Sequence, residues 1–224
     1  MSRETSPCVM SVQVGQPQTR TRPDGKTWRS AIGKTPVVGA VFLGRENVAG
    51  DRQSNLKYHG GADKAVCVYP AEHYATWRGE LNRPYQESGS FGENLTTTGL
   101  LETEVCLGDV YSFPSGAAIQ VCQPRVPCAN VAHYWNAPAL PARMRETGYT
   151  GFYCRVIEEG EIQSGDALTL TDRPFPEWTI ARTNRAYYDK RTDSVTAERL
   201  ALIALGAPVS PEAMAHVQKL LEKV

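Results

Sequence analysis

Val121-Cys122-Gln123-Pro124-Arg125-Val126-Pro127-Cys128-Ala129-Asn130 is an apolar, strand-like run that breaks into a stiff connector, and it sets how the rest of the chain is read. Pro124 and Pro127 fix φ near about −65° and push Gln123 and Val126 toward extended geometry, so a helix does not continue through the segment. A stiff connector aims the side chain that follows it. Here that side chain is Cys128, placed near Arg125, a permanent cation that favours the thiolate of a neighbouring thiol. A thiolate is both a nucleophile and a soft metal ligand. Free cysteine is also among the most buried residue types, so residue type alone leaves two readings of Cys128 open, a packed thiol and a reactive one.

Around this segment, residues 9–14, 27–32 and 36–43 read as strands, followed by 65–69, 110–113, 118–123, 152–158 and 167–171. Short strands separated by glycine-bearing connections predict a mainly β protein, an antiparallel barrel or sandwich. A helix is predicted over 70–81, where Tyr74, Trp77 and Leu81 recur at spacings of three and four, and a shorter one over 140–147. Arg173-Pro174-Phe175-Pro176 marks a change of character. Beyond it, 177–188, 194–205 and 210–224 read as three helices, with Asp193-Ser194 and Ser210-Pro211 as starts and Gly206 as a stop.

Composition narrows the function. The 224 residues carry 24 Lys+Arg and 24 Asp+Glu, a formal charge of zero, which gives no reason to expect a nucleic-acid polymer or a membrane surface as partner. No apolar run approaches the roughly 18 residues of a membrane span, and Met1-Ser2-Arg3-Glu4-Thr5 lacks the basic-then-apolar order of a secretory signal, so a cytoplasmic protein is expected. The six cysteines are scattered without a C-x-x-C pair and read as reduced thiols. Closely spaced zinc ligands are missing from the sequence. Cys128 and His133, five apart, form the nearest Cys/His pair and keep a cysteine hydrolase open as a rival.

Several loops are competent to bind an anion or a heterocycle. Asp51-Arg52-Gln53 precedes His59-Gly60-Gly61-Ala62-Asp63-Lys64, where paired glycines permit close approach of backbone N–H groups to a phosphate and Lys64 adds a cation. A plain tight turn explains Gly60-Gly61 as well. Asn94, in Phe91-Gly92-Glu93-Asn94-Leu95, offers a donor and an acceptor to a ring edge. Gly108-Asp109 reads as a turn entering a strand. In Gly151-Phe152-Tyr153-Cys154-Arg155-Val156, strand alternation puts Cys154 and Arg155 on opposite faces, and either could be the one facing a pocket.

In this order, from about residue 38 to 171, these motifs together with Pro124-Arg125-Val126-Pro127-Cys128 resemble the MOSC domain, the family named for the C-terminal domain of molybdenum cofactor sulfurases. The helical tail resembles the appendage of one subgroup. The resemblance implies a β-barrel like that of pyruvate kinase over residues 38–173, with strands 1–37 packed on it and a three-helix unit over 174–224 that serves as a cap or homodimer contact. It implies a bound molybdenum cofactor with Cys128 as metal ligand and catalytic residue, a soft thiolate on a soft centre. Arg52, His59, Gly60, Gly61, Lys64, Arg125 and Arg155 are then candidates for the cofactor's phosphate, and Asn94 for its ring. The implied activity is reduction of N-hydroxylated bases such as 6-hydroxylaminopurine, and a non-catalytic cofactor carrier is the alternative. The sulfurases' aminotransferase-like domain and the [2Fe–2S] cysteine pattern of some relatives are missing. Electrons are therefore expected from a separate flavoprotein or iron–sulfur protein.

Overall fold

In chain order the elements are β1 (Cys8–Val14), β2 (Gln18–Thr21), β3 (Thr27–Ser30), β4 (Thr35–Pro36), β5 (Val41–Gly44), β6 (Asn47–Val48), α1 (Leu56–His59), β7 (Val66–Pro70), α2 (Glu72–Leu81), β8 (Leu95–Thr98), β9 (Val110–Ser112), β10 (Ala118–Pro124), α3 (Ala129–Trp135), α4 (Leu140–Thr147), β11 (Phe152–Glu158), β12 (Gly160–Ile162), β13 (Thr169–Asp172), α5 (Ile180–Tyr188) and α6 (Pro211–Leu221). The computed structural model describes residues 6–82, 87–188, 198–199, 201–202 and 209–222. Most of the helix expected over 194–205 lies outside the described residues, as does the extreme N-terminus. Residues 198–199 and 201–202 are helical.

Eight strands form one sheet in the order β13-β9-β10-β11-β7-β8-β1-β4. Every pairing in it is antiparallel except β7 with β8, and α2 supplies the crossover that a parallel pair requires. The strands β12, β5 and β6 form a second sheet, and β2 with β3 a hairpin. A register shift between Val9 and Ser11 in β1 lets Val9 and Val12, three residues apart, both reach the core.

Two expectations are corrected. The run 36–43 is not one strand, because the chain turns at Gly39 (φ 82°) and splits into β4 and β5. The strand ladder does not close into a barrel either. The end of β1 pairs with β4, while its start meets residues 165–168 through an isolated bridge and through Val9 N donating to Asp166 O and Leu168 N to Pro7 O, both at 2.9 Å. Early and late strands thus meet through a few backbone bonds instead of a continuous ladder.

The main apolar cluster runs from Val9, Val66, Ile119 and Phe152 of the sheet into Ile180 and Tyr187 of α5 and Ala213 and Val217 of α6. The tail therefore packs on the same core as the strands. Beneath α2, α3 and α4 lies an aromatic cluster in which Tyr69 stacks on Phe91 at 4.4 Å, with Tyr74, Trp77 and Trp135 around them. Tyr74 and Trp77 are the buried members of the stripe expected over 70–81. Among the described residues no helix is long and apolar enough to cross a membrane.

At Gly151 φ is 69° and a Cβ would overlap the Val68 carbonyl oxygen, in the seam where β11 meets β7. Gly151→Ala should cost at least about 2 kcal/mol. The expected signature is a lower urea midpoint at unchanged slope.

Candidate functional site

Strand β10 is buried from Val121 through Pro124, and the last tie to its neighbour is Arg125 N donating to Gly151 O at 3.1 Å. After Pro127 the chain turns into α3 with Cys128 at the N-cap position in extended geometry (φ −114°, ψ 173°). Its sulfur makes no hydrogen bond among the described residues, and the residue is only half-buried. Cys128 borders both an inner recess and an outer chamber of one cleft. The chamber's volume of about 520 Å³ lies within the range of small-molecule sites.

The recess is strongly cationic. Lys34, Lys64 and Arg125 line it, and each is at most 5 % exposed. The Lys34 ammonium lies 2.5 Å from Asp51 Oδ2, which also accepts from Asn94 Nδ2 at 2.8 Å, while Asp51 Oδ1 accepts from Gly15 N at 2.7 Å. Lys64 Nζ donates to the Tyr58 carbonyl at 2.5 Å and pairs with Glu212 of α6. Arg125 donates one Nη2 bond to the Phe91 carbonyl, and its buried Nη1 has no partner among the described residues. Burial works against the Arg125 charge, yet nearby thiol and phenol groups, Cys67 first and then Tyr153 and Cys128, hold its pKa above the ordinary value.

His59 also borders the recess. Burial, then the charges of Arg125 and Lys64, push its pKa down to about 4, so the ring is neutral at neutral pH. Two other cysteines nearby are held as thiols, because burial pushes Cys67 up to about 11 and Cys122 up to about 12. Of the three, Cys128 is the one with an accessible sulfur environment.

The fold brings His59, Lys64, Asn94, Arg125 and Cys128 to one cleft. It does not bring Arg52, Gly60, Gly61 or Arg155 to the wall. Arg52 is exposed, Gly60 N is used on the Leu56 carbonyl to close α1, and Arg155 pairs with Asp63 at 2.8 Å while Cys154 packs in the core. Asn94 lines the recess, but its amide is committed: Oδ1 accepts from Cys67 N at 3.2 Å and Nδ2 is held by Asp51. It locks the floor of the site and leaves no free ring-recognising edge. The Cys128–His133 pairing of the hydrolase reading is not formed, because His133 contacts Arg22 Nη1 at 3.1 Å, stands edge-on to Trp28 and is not part of the cleft wall. Sequence reasoning missed Lys34 and Glu212. Lys34 directly follows Gly33, which has φ 74°, whereas Lys64 lies three residues beyond Gly61, which has φ 96°.

Among the described residues no three His, Cys, Asp or Glu side chains converge on a metal position. The MOSC domain model matches residues 55–169. Bacillus subtilis (strain 168) YflK is 44% identical over 192 residues, 86% of this chain and 86% of that protein. The chain belongs to the MOSC domain family. Within the MOSC family, the crystal structure of YiiM from Geobacillus stearothermophilus is similar at 36% identity, covering 96% of this chain and 99% of that one with a TM-score of 0.79. A Gibberella moniliformis (strain M3125 / FGSC 7600) protein named Reductase is 36% identical over 159 residues, 70% of this chain but 28% of its own length.

The depressed His59 pKa carries a pH dependence. Protonation favours the unfolded chain, where an ordinary histidine titrates near about 6.5, so the stability present above that pH is lost as pH falls toward about 4. Between pH 7 and 4.5 the wild type should lose roughly 2 kcal/mol more than His59→Gln, read from denaturant midpoints at the two pH values.

Proposed function

We propose that this MOSC protein is a molybdenum-cofactor-dependent reductase of N-hydroxylated bases and related N-hydroxylated compounds, with Cys128 as the metal ligand. The observation that carries the reading is the buried, unpartnered Nη1 of Arg125 on the wall of the cleft that Cys128 borders. A buried cation with an unmade hydrogen bond is costly unless an anion completes it. The donor set suits a phosphate-bearing, sulfur-rich cofactor: an accessible thiol for the metal, and guanidinium and ammonium groups for the phosphate. When bound, the cofactor would supply a two-electron donor that accepts the oxygen atom removed from the substrate. The overall reaction is R–NHOH plus two electrons and two protons giving R–NH2 and water, with the electrons delivered by a separate protein.

The chain's own residues divide the work. Arg125 and Lys34 hold the anion in the recess, and Asp51 fixes where Lys34 points. Cys128 would hold the metal, and the outer chamber that it borders has room for the substrate ring. Neutral His59 adds no further positive charge and offers one N–H and one acceptor nitrogen. The relative named Reductase agrees with a reductive reaction.

Protein from molybdate-supplied cells should contain close to one molybdenum per chain, and Cys128→Ala should contain almost none. With a reductant, the loaded wild type should convert 6-hydroxylaminopurine to adenine, and Cys128→Ala should fall to background. Metal without turnover would make the chain a cofactor carrier, and turnover without molybdenum would overturn the metal assignment.

A further inference from the structure

We infer that Glu212, on the C-terminal helix α6, is the specificity-determining residue of the outer chamber, accepting an N–H from a base that carries an exocyclic amino or hydroxylamino group. This rests on the reading of the chamber as the substrate's place. Among the described residues lining the recess or the chamber, Glu212 is the sole carboxylate. One of its oxygens, Oε2, pairs with Lys64. The side chain is 59% exposed although the lysine it holds is buried, so the carboxylate sits on the open side of that pair.

The position of Glu212 is tied to the central segment rather than to a free tail. Ser210 N donates to the Cys122 carbonyl at 3.2 Å, its hydroxyl donates to Gln123 Oε1, and the same hydroxyl accepts from Ala213 N at 3.1 Å to cap α6. The strand that ends just before the Cys128 connector therefore also anchors the helix bearing Glu212. His216, one turn further along α6, borders the same chamber. The recess wall carries cations and no carboxylate, whereas the chamber, lined also by Arg29 and Lys64, has Glu212 as its one carboxylate. That difference seats an anionic cofactor group inside and offers a base in the chamber one charged acceptor, which gives no advantage to a ligand without N–H groups.

The test is binding to the full chain, which needs neither metal nor turnover. The probes are 9-methyladenine and 9-methylpurine, which differ in the exocyclic amine, the sole N–H donor in the pair. By calorimetry the wild type should bind 9-methyladenine about tenfold or more tightly than 9-methylpurine. Glu212→Ala should remove that preference, and Glu212→Gln should reduce it while keeping a neutral acceptor beside Lys64. Comparing the two probes cancels any general effect of releasing Lys64. Equal affinity of the wild type for both probes, no binding of either, or a preference that survives in Glu212→Ala overturns the inference. A Glu212-dependent preference without reductase turnover would sink the reductase reading alone, and turnover indifferent to Glu212 would sink this one alone.

Discussion

A guanidinium buried to 5% exposure constrains the middle of this molecule more than any other single group. Arg125 stays charged at any working pH, so its surroundings must supply acceptors or leave a position for one. The Phe91 carbonyl fills one donor direction and nothing among the described residues fills Nη1. Because Arg125 N is also the last rung between β10 and β11, the charge cannot leave without opening the sheet. Charge, backbone and the Cys128 turn are therefore one unit.

Two buried carboxylates hold the surrounding loops against that charge. Asp51 draws together Gly15 N, Lys34 and Asn94. Glu93, fully buried, accepts from Tyr74 Oη, Gly89 N at 2.6 Å, Phe91 N at 3.1 Å and Thr96 Oγ1 at 3.0 Å, and so sets the loop whose Phe91 carbonyl meets Arg125. Buried carboxylates with every oxygen used act as rigid pins, since losing one partner leaves a desolvated charge. The cleft owes its shape to these pins as much as to the sheet.

Much of the β framework was legible because it is local. Residues 118–123, 152–158 and 110–113 carry strand-forming side chains between turn signals, and β10, β11 and β9 stand there. The helix over 140–147 stands where it was expected, and the Ser210-Pro211 start of α6 follows from capping chemistry. By contrast, α3 was not foreseen: Ala129–Trp135 follows two prolines and has no strong apolar period. It forms because Val131 and Trp135 bury, with Trp135 Nε1 donating to the Ser90 carbonyl at 3.1 Å. Glycine loops were over-read for the same reason. Gly60-Gly61 had the composition of an anion loop, but whether an amide faces a ligand or the preceding helix depends on packing.

By itself the sequence determined the mainly β character, the helical tail, the MOSC kinship and the thiol to examine, since prolines, glycines and side-chain periodicity act over a few residues. Only the tertiary structure decided that Lys34 and Lys64 share a recess with Arg125, that Asn94 is spent on Asp51, that Arg155 turns to Asp63, and that a helix far along the chain from Lys64 reaches across to it with Glu212. Such contacts are set by which loops fold against one another. Burial there fixes the partner of each charge, and no local pattern in a neutral chain encodes that choice.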